Sequence, residues 1–161
     1  MHMATIPITK RGSEKLKAEL HKLKTVERPW VIGAIAEARA QGDISENAEY
    51  ETAKEKQGWI EGRIQDLEGK LSNAQVIDPA AIGGDGKVVF GATVQVEDLN
   101  TGAKNSYQIV GEDEADFKVG KLSYVSPIAR ALIAKFEGDV VDVHTPNGKK
   151  ELEIVSVIYA T

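Results

Sequence analysis

Two acidic residues, Asp43 and Glu46, have the types and the spacing that could support metal-dependent chemistry. They are three residues apart in Gln41–Asn47, a segment that separates two helical patterns. At a bend, two such carboxylates can converge on one side. Hard divalent cations such as Mg²⁺ take oxygen ligands, usually one or two carboxylates with water at the other positions. The pair is too small to hold Mg²⁺ tightly alone, but it could complete a site that a partner shares.

A purely structural interpretation of the same pair is also open, and the spacing alone favours it. Gly42 is a typical helix stop, and Asp43 or Ser45 is a typical helix N-cap. Asp43 would then cap the second helix. Glu46 would be an acid in the first turn, where it interacts favourably with the helix dipole.

Two basic residues, Arg39 and Lys54, lie shortly before and after this bend, and on two antiparallel arms they would face each other. Cations this close to an acidic segment could contact a nucleic-acid phosphate backbone. They could equally pair with neighbouring acids, and exposed ion pairs contribute little stability. The acids in reach are Glu37, Glu51 and Glu55. The charge pattern alone leaves both interpretations open.

The first half of the sequence predicts the helical hairpin that must position these residues. From Ser13 to about Asn73, apolar residues recur at helical spacing in two stripes, with helix-forming residues between them. The stripes are Leu16, Leu20 and Leu23, and Ile60, Ile64, Leu67 and Leu71. Two helices folded back on each other would bury both stripes, and about 28 residues per arm would reach about 40 Å. Pro29 predicts a kink or break near Val26–Arg28.

The second half predicts a small, mostly antiparallel β-domain with one packed helix. Its apolar pattern has a period of two, is rich in Val, Ile and Tyr, and is divided by glycine-containing turns. The predicted strands are Gln75–Ile77, Val88–Val96, Ser106–Val110, Val140–His144 and Leu152–Ile158. Ser126 as N-cap and Pro127 at the first helical position predict a short helix through Ile128–Ala134. We therefore expect an α+β protein with a hairpin over residues 1–78 and a globular domain over residues 79–161.

Composition excludes several classes of protein. With 42% hydrophobic and 28% charged residues, the 161-residue chain is typical of a globular protein. No apolar run approaches the roughly 18 residues of a membrane helix, so we expect no membrane association and a cytoplasmic protein. The absence of cysteine excludes disulfides, thiolate metal sites and cysteine catalysis. The net charge of -5 argues against a protein that coats DNA.

Several motifs resemble the bacterial Gre family of transcript-cleavage factors. The segment from Gly42 to Tyr50, GDISENAEY, looks like the hairpin-tip signature of that family. Further motifs follow in the family's order: Gln57-Gly58, Glu61–Ile64, Leu71–Asp78, Phe90–Val94, Ile109–Asp116 and Ser126–Ala129. The resemblance covers nearly the whole chain from Ile6 onward. It is closer to the branch with a small basic patch on the hairpin than to the branch with a larger one.

The resemblance implies a fold and a partner. In the family, a coiled-coil hairpin is joined to an FKBP-like globular domain, and the domain docks at the rim of the secondary channel of bacterial RNA polymerase, against its largest subunit. The hairpin then reaches the active site through the channel. On this basis we expect a monomeric accessory factor, not an independent enzyme, that stimulates hydrolysis of backtracked nascent RNA.

The resemblance also implies residue roles. Asp43 and Glu46 would be the catalytic pair, helping to position the second Mg²⁺ and the attacking water. No cofactor would be tightly bound, because the polymerase shares this metal. Arg39 and Lys54 would contact the extruded 3′ segment of the RNA. By their place in the family pattern, Ser126 and Pro127 would face the polymerase.

Two other functions remain as alternatives. A Gre-like inhibitor would occupy the same channel without activating cleavage, but such homologues alter the tip acids or the hairpin orientation. Retention of both Asp43 and Glu46 favours activation. A prolyl isomerase or chaperone module with a coiled-coil arm would need no acids at the tip, and fold similarity alone does not imply that activity.

Overall fold

The computed structural model of the chain describes residues 5–42 and 47–160. It divides into two compact units, one formed by Glu14–Asn73 and the other by the residues up to Ser13 together with those from Ala74 onward. The first unit is helical, and the second is built around β-sheets. The predicted α+β class, a helical hairpin followed by a mostly antiparallel β-domain with a helix, is confirmed.

Three α-helices and one π-helical segment form the helical hairpin. The α-helices are α1 (Lys10–Lys22), α2 (Arg28–Ala40) and α3 (Ala48–Ser72). The π-helical segment Leu23–Glu27 joins α1 to α2. Pro29 lies in the first turn of α2, and because the π-helical segment runs directly into this turn, its missing N–H removes a bond from a continuous helix. The irregularity predicted near Val26–Arg28 is therefore present, as a change of helical hydrogen bonding. None of the helices in the described ranges is long and apolar enough to cross a membrane.

The hairpin buries one continuous apolar stripe between its arms. Its buried residues are Leu23, Val31, Ile35, Ala53, Ile60, Ile64 and Leu67. Leu16, Leu20 and Tyr50 are partly buried against them. Each fully buried Ile or Leu side chain contributes about 1.5–3 kcal/mol. Of the seven predicted stripe residues, all except Leu71 belong to this core or pack against it, and α2 adds Val31 and Ile35.

The globular unit contains a five-stranded sheet and a separate two-stranded one. The five-stranded sheet has the order β5-β4-β3-β7-β6, and all its pairs except β4–β5 are antiparallel. Its strands are β3 (Thr93–Asp98), β4 (Lys104–Val110), β5 (Lys121–Ser123), β6 (Val140–Thr145) and β7 (Gly148–Ile158). The short helices α4 (Pro79–Ile82) and α5 (Pro127–Leu132) complete the unit, and Ala129 and Leu132 of α5 are buried in its core.

The two-stranded sheet draws the start of the chain into the globular unit. Strand β1 (Ile6–Thr9) pairs in parallel with β2 (Ala74–Ile77), which immediately follows α3. The predicted hairpin covers residues 1–78. In the structure, the residues up to Ser13 and those from Ala74 onward belong to the globular unit, so the helical unit is shorter at both ends. The pairing joins residues about 70 positions apart, which no local pattern reveals.

The prediction of a strand over Val88–Val96 is wrong in its first half. The chain turns at Gly91, whose φ of 89° lies in the left-handed region that favours glycine. The Gly91 N–H donates to the carbonyl of Ile109 at 2.7 Å, and β3 begins only at Thr93. Val88 is nevertheless fully buried. The apolar run therefore predicted burial correctly but not backbone conformation.

A carboxylate fixes the start of α1 within the globular unit. Glu114 accepts hydrogen bonds from the N–H of Thr9 at 3.1 Å, from the Thr9 hydroxyl, and from the N–H of Gly111 at 3.0 Å. The Thr9 hydroxyl in turn accepts from the N–H of Gly12 at 3.1 Å. A side chain at Gly12 would collide with the Glu114 carboxylate. This cluster satisfies N–H groups that a helix start leaves without partners.

Candidate functional site

The candidate site lies where α2 ends and α3 begins. The N–H of Gln41 donates to the carbonyl of Ala38 at 3.3 Å, and Gly42 follows with a φ of 122°, a conformation that favours glycine. The predicted helix stop at Gly42 is confirmed. The next helix begins at Ala48 with Asn47 as its N-cap, so the prediction that Asp43 or Ser45 caps α3 is wrong.

Asn47 joins the two arms of the hairpin. Its side-chain Oδ1 accepts from the N–H of Tyr50 at 3.1 Å, which is the N-cap bond, and its Nδ2 donates to the carbonyl of Ala38 at 2.9 Å. One side chain therefore satisfies a free donor of α3 and a free acceptor of α2. The sequence carries a signal for half of this role, because asparagine is a preferred N-cap residue and acids follow it in the first turn.

Asp43 and Glu46, the predicted catalytic and metal-binding pair, lie outside the described residues. They fall between Gly42 and Asn47, the two flanking residues whose conformations are known. Helix α3 begins at Ala48 with Asn47 as its N-cap. The catalytic and metal-binding roles of Asp43 and Glu46 therefore stay predictions.

Arg39 and Tyr50 contact each other across the two arms. The guanidinium carbon of Arg39 is 5.7 Å from the centroid of the Tyr50 ring. The hydrogen bond from Arg39 lowers the pKa of Tyr50; partial burial acts in the opposite direction, and the charges of Arg39 and Lys54 add to the lowering. The charges of both cations therefore act on one phenol, and Arg39 also contacts its ring.

The cations at this end of the hairpin are not neutralised by the acids suggested from the sequence. Lys54 donates from its Nζ to the Oε1 of Gln57 at 3.2 Å, a neutral acceptor. Within residues 5–42 and 47–160, neither Arg39 nor Lys54 forms a salt bridge, and the proposed pairing with Glu37, Glu51 or Glu55 is wrong. Both side chains are exposed. Among the described residues, therefore, no carboxylate neutralises either cation.

A second feature of the hairpin was not anticipated from the sequence. Trp30 on α2 is exposed, and the Nζ of Lys56 on α3 lies 4.3 Å from its ring centroid. Lys56 also lies 3.9 Å from a carboxylate oxygen of Glu27. Trp30 and Lys56 line a groove together with Ala34, Ala38, Ala48 and Ala53. Sequence periodicity predicted the helices but could not pair a tryptophan on one arm with a lysine on the other.

Ser126 and Pro127 start α5 in the globular unit, as the sequence predicted. The Ser126 Oγ accepts from the N–H of Ala129 at 3.3 Å, and Pro127 occupies the first turn. Ser126 is half-buried and Pro127 is exposed. The helix ends at Leu132, two residues before the predicted Ala134, whose φ of 73° cannot continue a right-handed helix. The hydroxyl of Ser126 therefore has a structural role.

The described part of the chain contains no group of three or more His, Asp or Glu residues arranged to hold a metal ion. Asp43 and Glu46, the predicted metal ligands, lie outside that part. Two carboxylates match the oxygen ligands that Mg²⁺ prefers, but they leave most of its coordination positions to water or a partner.

Comparison with known proteins gives matches over nearly the whole chain. Residues 6–76 match the family model described as "Transcription elongation factor, N-terminal", and residues 83–159 match "Transcription elongation factor, GreA/GreB, C-term". Transcription elongation factor GreA of Polaromonas naphthalenivorans is 67% identical over 98% of this chain and 99% of that protein. Its counterpart from Ralstonia nicotianae is 63% identical over the same shares. Among solved structures, GreA factor homolog 1 of Thermus thermophilus is 30% identical over 96% of this chain and 99% of that one, with a TM-score of 0.43.

Proposed function

This chain belongs to the GreA/GreB family of transcription elongation factors, and from that membership we propose that it binds RNA polymerase and stimulates cleavage of backtracked RNA. The two family models confirm the resemblance that the motifs predicted. The relatives named GreA confirm that the chain is closer to the branch with the smaller basic patch. The chain is therefore a transcription elongation factor. Its partner site, metal and catalytic residues are the subject of the proposal.

The observation that carries the proposal is the way the two arms meet. The Asn47 side chain caps α3 and binds the carbonyl of Ala38 on α2, so the short segment with Asp43 and Glu46 connects two antiparallel helix ends. Helix α3 has 25 residues, which at 1.5 Å per residue is about 38 Å. A helical hairpin of this length is suited to carry two carboxylates into a narrow channel of a larger enzyme.

The proposed role of Asp43 and Glu46 is to complete a Mg²⁺ site inside the polymerase. Mg²⁺ in such a shared site stabilises the charge on the attacking and leaving oxygens of a phosphodiester. The two carboxylates would orient it and accept hydrogen bonds from the attacking water. The chain would have no turnover of its own, because it would supply only part of the ligands and none of the RNA-pairing surface.

Arg39 and Lys54 would bind the phosphates of the extruded RNA 3′ segment. They are exposed and unpaired with any described carboxylate, which supports a role in contacting an anion. Ser126 and Pro127 would form part of the surface that faces the polymerase, and the exposure of Pro127 is compatible with such a contact.

The decisive experiment incubates stalled, backtracked elongation complexes with the protein and Mg²⁺ and measures release of short 3′ RNA fragments. We expect Asp43→Asn or Glu46→Gln to abolish release while binding to polymerase persists. Glu49→Gln is the matched control, because Glu49 is an exposed acid in the first turn of α3 and should be dispensable. Normal cleavage by the double variant would overturn the catalytic assignment. Binding and inhibition of elongation without cleavage by the wild type would favour the inhibitor instead.

A crosslinking experiment tests the RNA contacts separately. Arg39→Ala and Lys54→Ala should weaken crosslinking between the factor and the RNA 3′ segment and reduce cleavage modestly. Lys56→Ala is the control, since Lys56 is on the same helix as Lys54 but contacts Trp30 and Glu27. If all three variants crosslink like the wild type, Arg39 and Lys54 are ordinary surface charges.

A further inference from the structure

Tyr50 occupies a central position among the residues of the candidate site. Its N–H is held by the Oδ1 of Asn47 at 3.1 Å, and its ring is partly buried against the hairpin core. The Arg39 guanidinium carbon lies 5.7 Å from the ring centroid. Lys54 follows one helical turn later, so its side chain extends from the same face of α3. A single aromatic residue therefore connects the helix cap, the core and the Arg39 guanidinium.

We propose that Tyr50 is a positioning residue that holds the Arg39 guanidinium ready to bind an RNA phosphate. This inference rests on the proposed function and extends it by one residue. Tyr50 itself need not touch the RNA. Its role is to act through Arg39, and its effect should disappear when Arg39 is absent.

The physical reason lies in what an aromatic partner does to a cation. An arginine side chain loses on the order of 2 kcal/mol of conformational free energy when it is fully ordered. If Tyr50 orders Arg39 beforehand, less of this cost falls on RNA binding. A carboxylate could also order the guanidinium, but it would neutralise the charge that attracts the phosphate. A phenol ring orders it through its π-face and hydroxyl and leaves the charge in place.

The same hairpin shows the alternative arrangement. Arg28 donates from Nε and Nη2 to the two carboxylate oxygens of Glu61 at 2.9 and 2.8 Å. That guanidinium is both ordered and neutralised, so it is suited to hold the arms together. Arg39 contacts Tyr50 and forms no salt bridge with the carboxylates that the structure describes, so it is suited to bind an anion supplied from outside.

The first arm of the test uses the free protein and needs no polymerase. The ultraviolet absorbance of phenolate is titrated with pH, and subtracting the curve of Tyr50→Phe isolates Tyr50 from the other three of the four tyrosines. The Arg39 contact lowers the pKa of Tyr50, so Arg39→Gln should raise it. An unchanged pKa would mean that the contact does not exist in solution, which would overturn the proposal whatever the function.

The second arm measures the rate of RNA cleavage at saturating factor in a double-variant cycle. We expect Tyr50→Leu and Arg39→Gln each to reduce the rate about 3-fold to 5-fold, the range of an exposed cation–π contact. The double variant should be no slower than Arg39→Gln alone, because Tyr50 acts through Arg39. Tyr50→Phe should retain most of the rate if the π-face does the ordering. Unchanged helix content by circular dichroism shows that Tyr50→Leu still folds, and Glu51→Gln is the neighbouring control.

The outcomes separate this inference from the proposed function. If the wild type stimulates cleavage but the two losses multiply in the double variant, Tyr50 acts independently of Arg39 and the inference is overturned. If the wild type stimulates no cleavage, the proposed function itself fails. If Tyr50→Leu changes only the factor concentration that gives half-maximal cleavage and leaves the rate at saturation intact, Tyr50 acts in docking. That result would also overturn a positioning role.

Discussion

Arginine side chains have different partners in two regions of the hairpin, the shaft and the tip end. In the shaft, defined here as the segments around Arg28 and Arg63, each guanidinium is bound by a carboxylate through two hydrogen bonds. Arg63 donates to Glu19 at 2.5 and 3.0 Å, and Arg28 donates to Glu61 at 2.8 and 2.9 Å. At the tip end, defined as residues 38–42 and 47–54, Arg39 contacts a phenol instead. The shaft pairs its guanidinium groups with carboxylates of the other arm, whereas no carboxylate in the described part of the tip end pairs with Arg39 or Lys54.

The two regions also differ in the size of the side chains that they bury. The shaft buries large side chains, among them Val31, Ile60, Ile64 and Leu67, all at most 2% exposed. The tip end buries only two alanines, Ala38 and Ala53. On folding, each residue of the tip end buries less apolar surface than a residue of the shaft does. Burial therefore contributes less stabilising free energy at the tip end. The tip end therefore depends on specific hydrogen bonds, chiefly those of Asn47.

The largest effect on the free energy of unfolding is expected from truncating a buried side chain in the core of the shaft. Ile60 is fully buried, so Ile60→Ala removes apolar contacts and leaves a cavity. We expect the free energy of unfolding to fall by about 2–5 kcal/mol, measured by urea denaturation followed by helical circular dichroism. The control is Trp59→Ala on the adjacent position, which is 63% exposed and should cost far less. Equal costs would show that the stripe is not the source of hairpin stability.

A smaller and local effect is expected at Asn47. Replacement by Ala removes an N-cap, worth about 1 kcal/mol, and the bond to the Ala38 carbonyl. Asn47→Asp keeps the cap acceptor but loses the donor to Ala38, so it should recover most of the loss. The readout is hydrogen exchange at the amides of Tyr50 and Glu51. If Asp is as damaging as Ala, the contact with Ala38 rather than the cap maintains the tip end.

The shaft ion pair predicts a modest dependence on pH. The hydrogen bond from Arg63 holds the pKa of Glu19 below its ordinary value of 4.5, with burial opposing. The folded state therefore binds this proton less tightly than the unfolded state does. The resulting stability is present at neutral pH and is lost as the pH falls through the folded pKa, below 4.5.

The magnitude of this dependence is limited by solvent. Both side chains are about a third exposed, so we expect a contribution of only about 0.5 kcal/mol. The measurement compares urea midpoints at neutral and acid pH for the wild type and Glu19→Gln. The variant should lose part of the acid destabilisation. The same pH dependence in both proteins would mean that the Arg63 pair is not formed in solution.

The smallest effect on stability is expected for the tip cations. Lys54→Ala and Arg39→Gln should change the free energy of unfolding by less than about 0.5 kcal/mol, because both side chains are exposed and neither holds the arms through a described salt bridge. The same denaturation assay tests this. A substantial loss of stability would show that these cations are structural, and the contrast between shaft and tip end would then disappear.

Much of this architecture could be predicted from local patterns. The apolar stripe with Ile60, Ile64 and Leu67 is the hairpin core, and Ser126 and Pro127 do start a helix. The failures occurred where several local signals competed. Three residues in the connection, Asp43, Ser45 and Asn47, are all good N-caps, and the cap is Asn47, whose side chain also bonds to the other arm. At Val88 the apolar run was equally compatible with a strand and a buried loop.

The sequence by itself determined the two architectural regions, the place of Gly42 as a helix stop, and the family to which the chain belongs, because periodicity, capping preferences and motifs are local properties. Only the tertiary structure decided which residues meet. The pairing of β1 with β2, the bond from Asn47 to Ala38 and the contact of Arg39 with Tyr50 all join positions on different elements. Such contacts depend on how helices and strands pack against each other, a geometry that local sequence spacing does not contain.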